Sequence, residues 1–115
     1  MSLAKRLNSP LIEQSIVNGW ARDLATKIRL ATVPELVILF GSAAEGRFRE
    51  GSDLDLLLVF ADLDAVRQGR RQIRASGPLG APCPVDLLFV TRSHFDEAKD
   101  RGGVCFVAHR EGVKL

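Results

Sequence analysis

The feature that most constrains the fold is the apolar segment Leu54–Phe60, in which Asp55 is the single polar residue. Seven residues are too few for a typical helix and match the length of a β-strand. A nearly continuous apolar run is typical of a strand at the centre of a sheet. Residues 36–40 and 85–90 have the same character. The chain is therefore expected to build its core around a three-stranded or larger sheet.

Helical patterns alternate with these strands. A four-residue apolar repeat predicts an amphipathic helix that Ser9 and Pro10 begin and that ends before Pro34. The members of the repeat are Ile12, Ile16, Trp20, Leu24 and Ile28, with Val17 and Leu30 widening the stripe.

A helix is expected over residues 62–76, with Asp62 and Asp64 near its positive N-terminal end. A short helix capped by Ser93 is expected to about Lys99, and a last helix over residues 104–110 precedes an edge strand at 113–115. Arg67, Arg70, Arg71 and Arg74 lie on one face of the first of these. That face is either a solvated surface or a surface for an acidic partner or RNA. The order of elements indicates an α/β (α+β) fold, a small mixed sheet with helices packed on one face.

Length and composition favour one cytoplasmic domain over residues 1–115. The chain has 46% apolar and 26% charged residues, which are ordinary globular values, and a net charge of +2, which is too small to indicate nucleic acid. It has no membrane-spanning run, and Lys5 and Arg6 precede no signal-peptide stretch. Cys83 and Cys105 have neither zinc-ligand spacing nor a disulfide pattern, so two buried thiols are expected.

A phosphate-binding turn is a candidate at Gly41-Ser42, directly after the first predicted strand. Glycine lets a phosphate approach the backbone closely, and the Ser42 hydroxyl adds a donor. The turn is not a Walker loop, because Arg47 and Phe48 follow Gly46 where lysine and serine or threonine are required.

Two carboxylates, Asp53 and Asp55, stand at the start of the central strand. Because successive side chains of a strand alternate, both project from one face, while Leu54 and its alternates project into the core. Asp86 is a third acid, inside the apolar run 85–90, where strands disfavour aspartate. It is either a charge on an exposed edge or a third carboxylate beside the other two. Three carboxylates next to a phosphate-binding turn would form a two-metal site for phosphoryl transfer.

These residues resemble a known signature. Gly41-Ser42, ten residues and then Asp53-x-Asp55 is similar to the GSX10DXD motif of minimal nucleotidyltransferases in the polymerase-beta-like superfamily. The inner pattern GSxAxG is present from Gly41 to Gly46, Asp86 matches the later acid, and the ending Arg110-Glu111-Gly112-Val113 is also similar. The resemblance covers residues 37–115.

The resemblance implies a chemistry and a site. It implies transfer of a nucleoside monophosphate, AMP from ATP, to a hydroxyl with two Mg²⁺ ions. Gly41, Ser42 and Arg47 would bind the nucleotide. Asp53, Asp55 and Asp86 would be the catalytic and metal-binding residues, and Asp86 would also help to deprotonate the attacking hydroxyl.

The acceptor is left open by the sequence. Family members of this size are often antitoxins that modify a helical HEPN toxin, which predicts a hetero-oligomer with such a partner. Aminoglycoside-type nucleotidyltransferases are the alternative enzymes, although they usually carry a further helical domain. A module that neutralises a partner by contact alone is the third alternative. Glu45 favours it slightly, because many members have arginine there and an acid repels a triphosphate unless Arg47 or a metal binds it.

Overall fold

A computed structural model describes residues 9–115; the first eight residues, with Lys5 and Arg6, lie outside the described part. The secondary structure elements follow in chain order: α1 (Gln14–Ala31), β1 (Leu36–Phe40), a 3-10 turn (Gly41–Ala43), β2 (Leu54–Phe60), α2 (Leu63–Ala75), β3 (Val85–Thr91), α3 (Arg92–Ala98), α4 (Gly103–Glu111) and β4 (Val113–Lys114). The three predicted strands, the predicted helix over 62–76 and the terminal edge strand are confirmed.

The strands form one mixed sheet in the order β3-β2-β1-β4. β2 is parallel to β3, and α2 is the crossover that joins them. β1 is antiparallel to both of its neighbours, β2 and β4. The predicted fold class, a small mixed sheet with helices, is therefore confirmed, and the most apolar segment of the sequence lies inside the sheet.

Helices cover both faces of the sheet, so the expectation of helices on one face is wrong. One core contains Leu56 and Leu58 and is closed by α1 and α2. The other contains Leu57 and Val59 and is closed by Phe95 of α3 and by α4. The physical reason is that β2 is apolar at consecutive positions, and both sets of side chains need to be shielded from water.

Both cysteines are free thiols. Cys105 lies in the second core, and Cys83 is half-buried beside the first.

Helix α1 begins four residues later than the sequence pattern predicts. Leu11 forms a β-bridge with Arg49, and the Ile12 N–H donates to the Phe48 carbonyl at 2.8 Å. These contacts hold the chain extended, so Ser9 and Pro10 do not begin the helix and Glu13 occupies the N-cap position.

The buried stripe of α1 is also rotated from the predicted one. Val17, Ala21, Leu24, Ala25 and Ile28 are buried, whereas Ile16 and Leu30 are exposed. Trp20 is half-buried and packs edge-to-face on Phe48, with ring centroids 6.2 Å apart. The Phe48 loop therefore sets which side of α1 faces the protein.

Side-chain caps fix the start of two helices. The Asp62 carboxylate accepts from the Ala65 N–H at 2.9 Å and begins α2, as its charge and position predict. For α3 the cap is Thr91, which accepts from the His94 N–H at 3.2 Å, rather than the predicted Ser93. Thr91 is the last residue of β3, so strand and helix follow each other without a loop.

Two helical glycines provide a matched test of the packing between α2 and the sheet. A Cβ on Gly69 would lie 2.6 Å from Cζ of the buried Phe60 ring, whereas a Cβ on the exposed Gly19 would meet nothing within 4 Å. We expect Gly19→Ala to stabilise the protein by about 0.5–1 kcal/mol, since alanine is the better helix former. Gly69→Ala should destabilise it by roughly 1–2 kcal/mol, because overpacking outweighs the same gain in helix propensity. Urea denaturation of both variants measures the difference, and stabilisation by both would contradict the close packing.

Candidate active site

Two acidic residues meet at the start of the parallel strand pair. Asp55 of β2 is the direct register partner of Asp86 of β3. Register partners in parallel strands point to the same face, and neighbouring strands are about 4.8 Å apart. Asp53 lies two residues before Asp55, just outside β2. Asp53 and Asp86 are exposed, and Asp55 is half-buried.

The environment of Asp55 opposes its negative charge. The pKa of Asp55 is raised above its ordinary value, mainly because burial penalises its charged form and further because of the charges on Asp86 and Asp53. Negative charge is therefore concentrated where β2 and β3 begin, and a bound cation would reduce its electrostatic cost.

The turn at Gly41 lies directly against this site. Phe40, the last residue of β1, is the register partner of Asp55, and the 3-10 turn Gly41–Ala43 follows at once. Gly41 has a φ of +73°, and a Cβ on it would lie 2.5 Å from Asp55 Oδ2. Glycine is thus required both by the backbone conformation and by the carboxylate beside it. The Ser42 side chain follows on the same turn and is half-buried.

The acidic residue in the turn is neutralised by its neighbour. Glu45 forms an ion pair with Arg47 at 3.2 Å, and the Arg47 side chain is 62% exposed. The expected repulsion between Glu45 and a triphosphate is therefore reduced, while Arg47 is engaged with Glu45 in this structure. Arg49 donates to the Ser9 carbonyl and so holds the segment that precedes α1.

The three carboxylates at the start of β2 and β3 suit a hard divalent cation. Asp53, Asp55 and Asp86 offer carboxylate oxygens, which Mg²⁺ prefers. A cation would offset the burial of the Asp55 charge, which is the main cause of its raised pKa, and the repulsion from Asp86 and Asp53 that adds to it. Over residues 9–115, no three His, Cys, Asp or Glu side chains are arranged closely enough to form a ready metal site. The exposed side chains of Asp53 and Asp86 would have to turn towards Asp55 to share an ion.

The close contact between Gly41 and Asp55 is the feature of the site that sequence reasoning missed. The sequence marks Gly41 as a turn residue after a strand, but its neighbour across the sheet depends on the register of β1 and β2. Spacing along the chain contains no information on that register.

The raised pKa of Asp55 makes a prediction about stability and pH. The pKa of this carboxyl group is higher in the folded than in the unfolded state. The free energy of unfolding is therefore unaffected by the group below its ordinary pKa of about 4, and it falls as the pH rises above that value. We expect Asp55→Asn to be more stable than the wild type at pH 7, by a fraction of a kcal/mol because Asp55 is half exposed to solvent. The difference should shrink towards pH 3.

Thermal unfolding between pH 3 and 8 measures this effect. Asp100→Asn is the control, since Asp100 is exposed and lies far along the chain from the three carboxylates. A wild type more stable than Asp55→Asn at pH 7 without metal would contradict the electrostatic account.

Comparisons with known proteins define the class of this chain. The model of the family described as "Nucleotidyltransferase domain" matches residues 22–114, and the chain therefore belongs to that family. The match includes the Gly41 turn and all three carboxylates. A search of curated proteins found no match.

Two solved structures match this chain. A candidate nucleotidyltransferase from Sulfolobus solfataricus is 23% identical, with a TM-score of 0.51 over 88% of this chain and 80% of that one. A mutant of the toxin–antitoxin complex MntA-HpeT contains a chain that is 18% identical, with a TM-score of 0.35 over 90% of this chain and 72% of that one. The first likeness supports the polymerase-beta-like fold. Over residues 9–115, no helix is both long and apolar enough to span a membrane.

Proposed function

We propose that this chain is a magnesium-dependent nucleotidyltransferase that transfers AMP from ATP to a hydroxyl group of a partner protein. The observation that carries the proposal is the placement of Asp55 and Asp86 as direct neighbours, with the Gly41 turn against Asp55. The family defines nucleotidyl transfer, and the carboxylates define where it would occur.

Each residue has a role that follows from its position. Gly41 and Ser42 would bind the triphosphate, since the glycine leaves the backbone open and the Ser42 hydroxyl can donate to a phosphate oxygen. Asp53, Asp55 and Asp86 would hold magnesium, which supplies charge stabilisation for the attacking and leaving oxygens when it is bound.

Asp86 would also act on the acceptor. Its carboxylate is exposed at the start of β3, where an incoming hydroxyl can reach it. Asp86 would accept the hydroxyl proton as the oxygen bonds to the α-phosphorus and the bond to pyrophosphate breaks. This role differs from that of Asp55, which is half-buried and faces the turn.

The exposure of the site supports a large acceptor. Asp53 and Asp86 are both exposed to solvent where β2 and β3 begin. A hydroxyl on a protruding protein side chain can therefore approach them without an enclosing pocket. We propose a helical HEPN toxin as the partner, in a cytoplasmic toxin–antitoxin pair. This part rests on the resemblance of the GSX10DXD motif to that of minimal nucleotidyltransferase antitoxins.

The experiment is intact-mass spectrometry of the protein encoded by the neighbouring reading frame after co-expression with this chain. We expect one AMP adduct with the wild type and none with the Asp53→Asn/Asp55→Asn double variant. Incubation of the purified proteins with ATP, with and without magnesium, should reproduce the adduct only in the presence of the metal.

A contact-only antitoxin gives a different result in the same experiment. Neutralisation of the partner by wild type and double variant alike, with no adduct in either, would show that the chain acts by binding. That outcome would overturn the proposed transfer reaction.

A further inference from the structure

Strand β3 forms an open edge of the sheet. It pairs with β2 on one side, and no strand within residues 9–115 pairs with its other side. The Leu54 N–H donates to the Pro84 carbonyl at 2.9 Å, so the backbone groups of 84, 86, 88 and 90 face β2. The backbone groups of Val85, Leu87 and Phe89 consequently point outwards and can pair with another strand.

The side chains of this edge are apolar and incompletely covered. Residues 85–91 contain one charge, Asp86, and no residue of β3 is fully buried. A groove of about 370 Å³ separates β3 from α2 and is lined by Arg70, Ile73, Arg74, Leu87 and Phe89. A second groove, of about 350 Å³, shares Arg70, Leu87 and Phe89 with the first and extends around β3 to the α3–α4 region. Lysine and proline residues are two common protections of such edges against pairing. Residues 85–91 contain neither lysine nor proline.

The two faces of the edge differ in charge. On the α2 face, the Arg70 guanidinium lies 5.2 Å from the centre of the Phe89 ring, and Arg74 lines the same groove. Unlike Arg67, which pairs with Asp64 at 3.7 Å, neither has a carboxylate oxygen of residues 9–115 within 4 Å. Beside α3 and α4 the lining is mainly apolar and includes Leu88, Val90 and Val104; Arg70 also lines this groove, whereas Arg74 lines only the one beside α2.

This charge distribution disfavours a second copy of the chain as the occupant. Two β3 strands that pair antiparallel about a two-fold axis would place both α2 helices on the same side of the joined sheet. Arg70 and Arg74 of one copy would then lie near the same arginines of the other, and like charges at such an edge oppose pairing. An occupant with acidic side chains on that face is favoured instead.

We propose that the free edge of β3 binds an extended segment of a partner protein in which acidic and apolar side chains alternate. The backbone of the segment would pair with the outward groups of β3. Because side chains of a strand alternate between faces, the acidic ones would point to Arg70 and Arg74 and the apolar ones into the groove beside α3 and α4. Asp86 is the second residue of β3, so the segment would run alongside the candidate active site. The binding itself does not depend on the proposed transfer reaction.

The test measures binding of synthetic peptides by fluorescence anisotropy, without nucleotide or metal. The probe is a labelled seven-residue peptide that alternates glutamate and valine, and its control alternates lysine and valine. We expect the glutamate peptide to bind at least about tenfold more tightly. Equal affinity of the wild type for both peptides would overturn the proposal, and this comparison needs no variant.

Variants of α2 locate the binding site. Arg70→Glu/Arg74→Glu should weaken binding of the glutamate peptide by about tenfold or more. Arg67→Glu/Arg71→Glu makes the same charge change at two exposed positions that line neither groove, and it should alter affinity less than about twofold. An equal loss in both variants would indicate a general charge effect and contradict docking on β3.

Amide hydrogen exchange supplies a readout that does not depend on affinity. The outward amides of Leu87 and Phe89 should exchange quickly in the free chain and become protected in the peptide complex. The inward amides of Leu88 and Val90 should be protected in both states. Protection of Leu87 and Phe89 that rises with protein concentration alone would show self-pairing and overturn the choice of occupant.

Discussion

Asp55→Asn is expected to lower kcat for nucleotidyl transfer by about 1000-fold or more. Asp55 lies between two other parts of the site: Asp86 is its register partner on β3, and the Gly41 turn lies against its carboxylate. A neutral amide is a poorer ligand for a hard cation, so the variant would lose charge stabilisation of the transition state. The measurement is the steady-state rate of pyrophosphate release with the partner protein present.

Asp86→Asn is the informative comparison for Asp55→Asn. If Asp86 acts mainly on the acceptor hydroxyl, its variant should lose kcat while affinity for magnesium-ATP changes little. Asp100→Asn controls for the loss of one exposed carboxylate and should retain full activity. Retention of transfer by Asp55→Asn within about tenfold of the wild type would contradict the assignment of this site.

The second large effect is expected for Gly41→Ala, which should abolish detectable binding of magnesium-ATP and destabilise the fold by about 2–4 kcal/mol. Two costs combine at this position. A φ of +73° is unfavourable for alanine, and its Cβ would lie 2.5 Å from Asp55 Oδ2. The turn and the carboxylate would both have to move, and these are the two groups proposed to bind phosphate and metal.

Gly46→Ala is the matched control for the backbone contribution. Gly46 has a φ of +74°, and the nearest atom to a Cβ there is Gln14 Oε1 at 3.9 Å. This variant should lose about 1–2 kcal/mol of stability from backbone strain, while it keeps ATP binding. Denaturation curves and calorimetric titration of magnesium-ATP separate the two effects. Equal loss of ATP binding in both variants would show that the contact with Asp55 is not what matters at Gly41.

Local sequence patterns were sufficient to predict most secondary structure. The apolar run of β2 predicts a strand because no other element of seven residues can bury so many adjacent apolar side chains. The Asp62 cap and the position of α2 depend on residues within one helical turn. Such features need no knowledge of distant contacts, and they are the ones that the structure confirms.

Predictions that depended on a partner far along the chain were less successful. Ser9 and Pro10 have the right chemistry to begin a helix, but Leu11 and Ile12 are held extended by residues 48 and 49. The expected single layer of helices was wrong because composition does not specify which apolar faces of β2 are covered by which helices. In both cases the free energy of tertiary contacts exceeded a local preference.

The candidate site shows the same division. The sequence by itself determined the motif, since the spacing of Gly41, Ser42, Asp53 and Asp55 is a property of the chain. It also determined the alternation that places Asp55 on the face of β2 opposite Leu54, Leu56 and Leu58. The tertiary structure alone decided that Asp86 is the direct neighbour of Asp55, that Gly41 lies against its carboxylate and that the edge of β3 is open. The reason is physical: strand order and register are set by the packing of both cores, and Asp55 and Asp86, 31 positions apart, become neighbours only when those cores form.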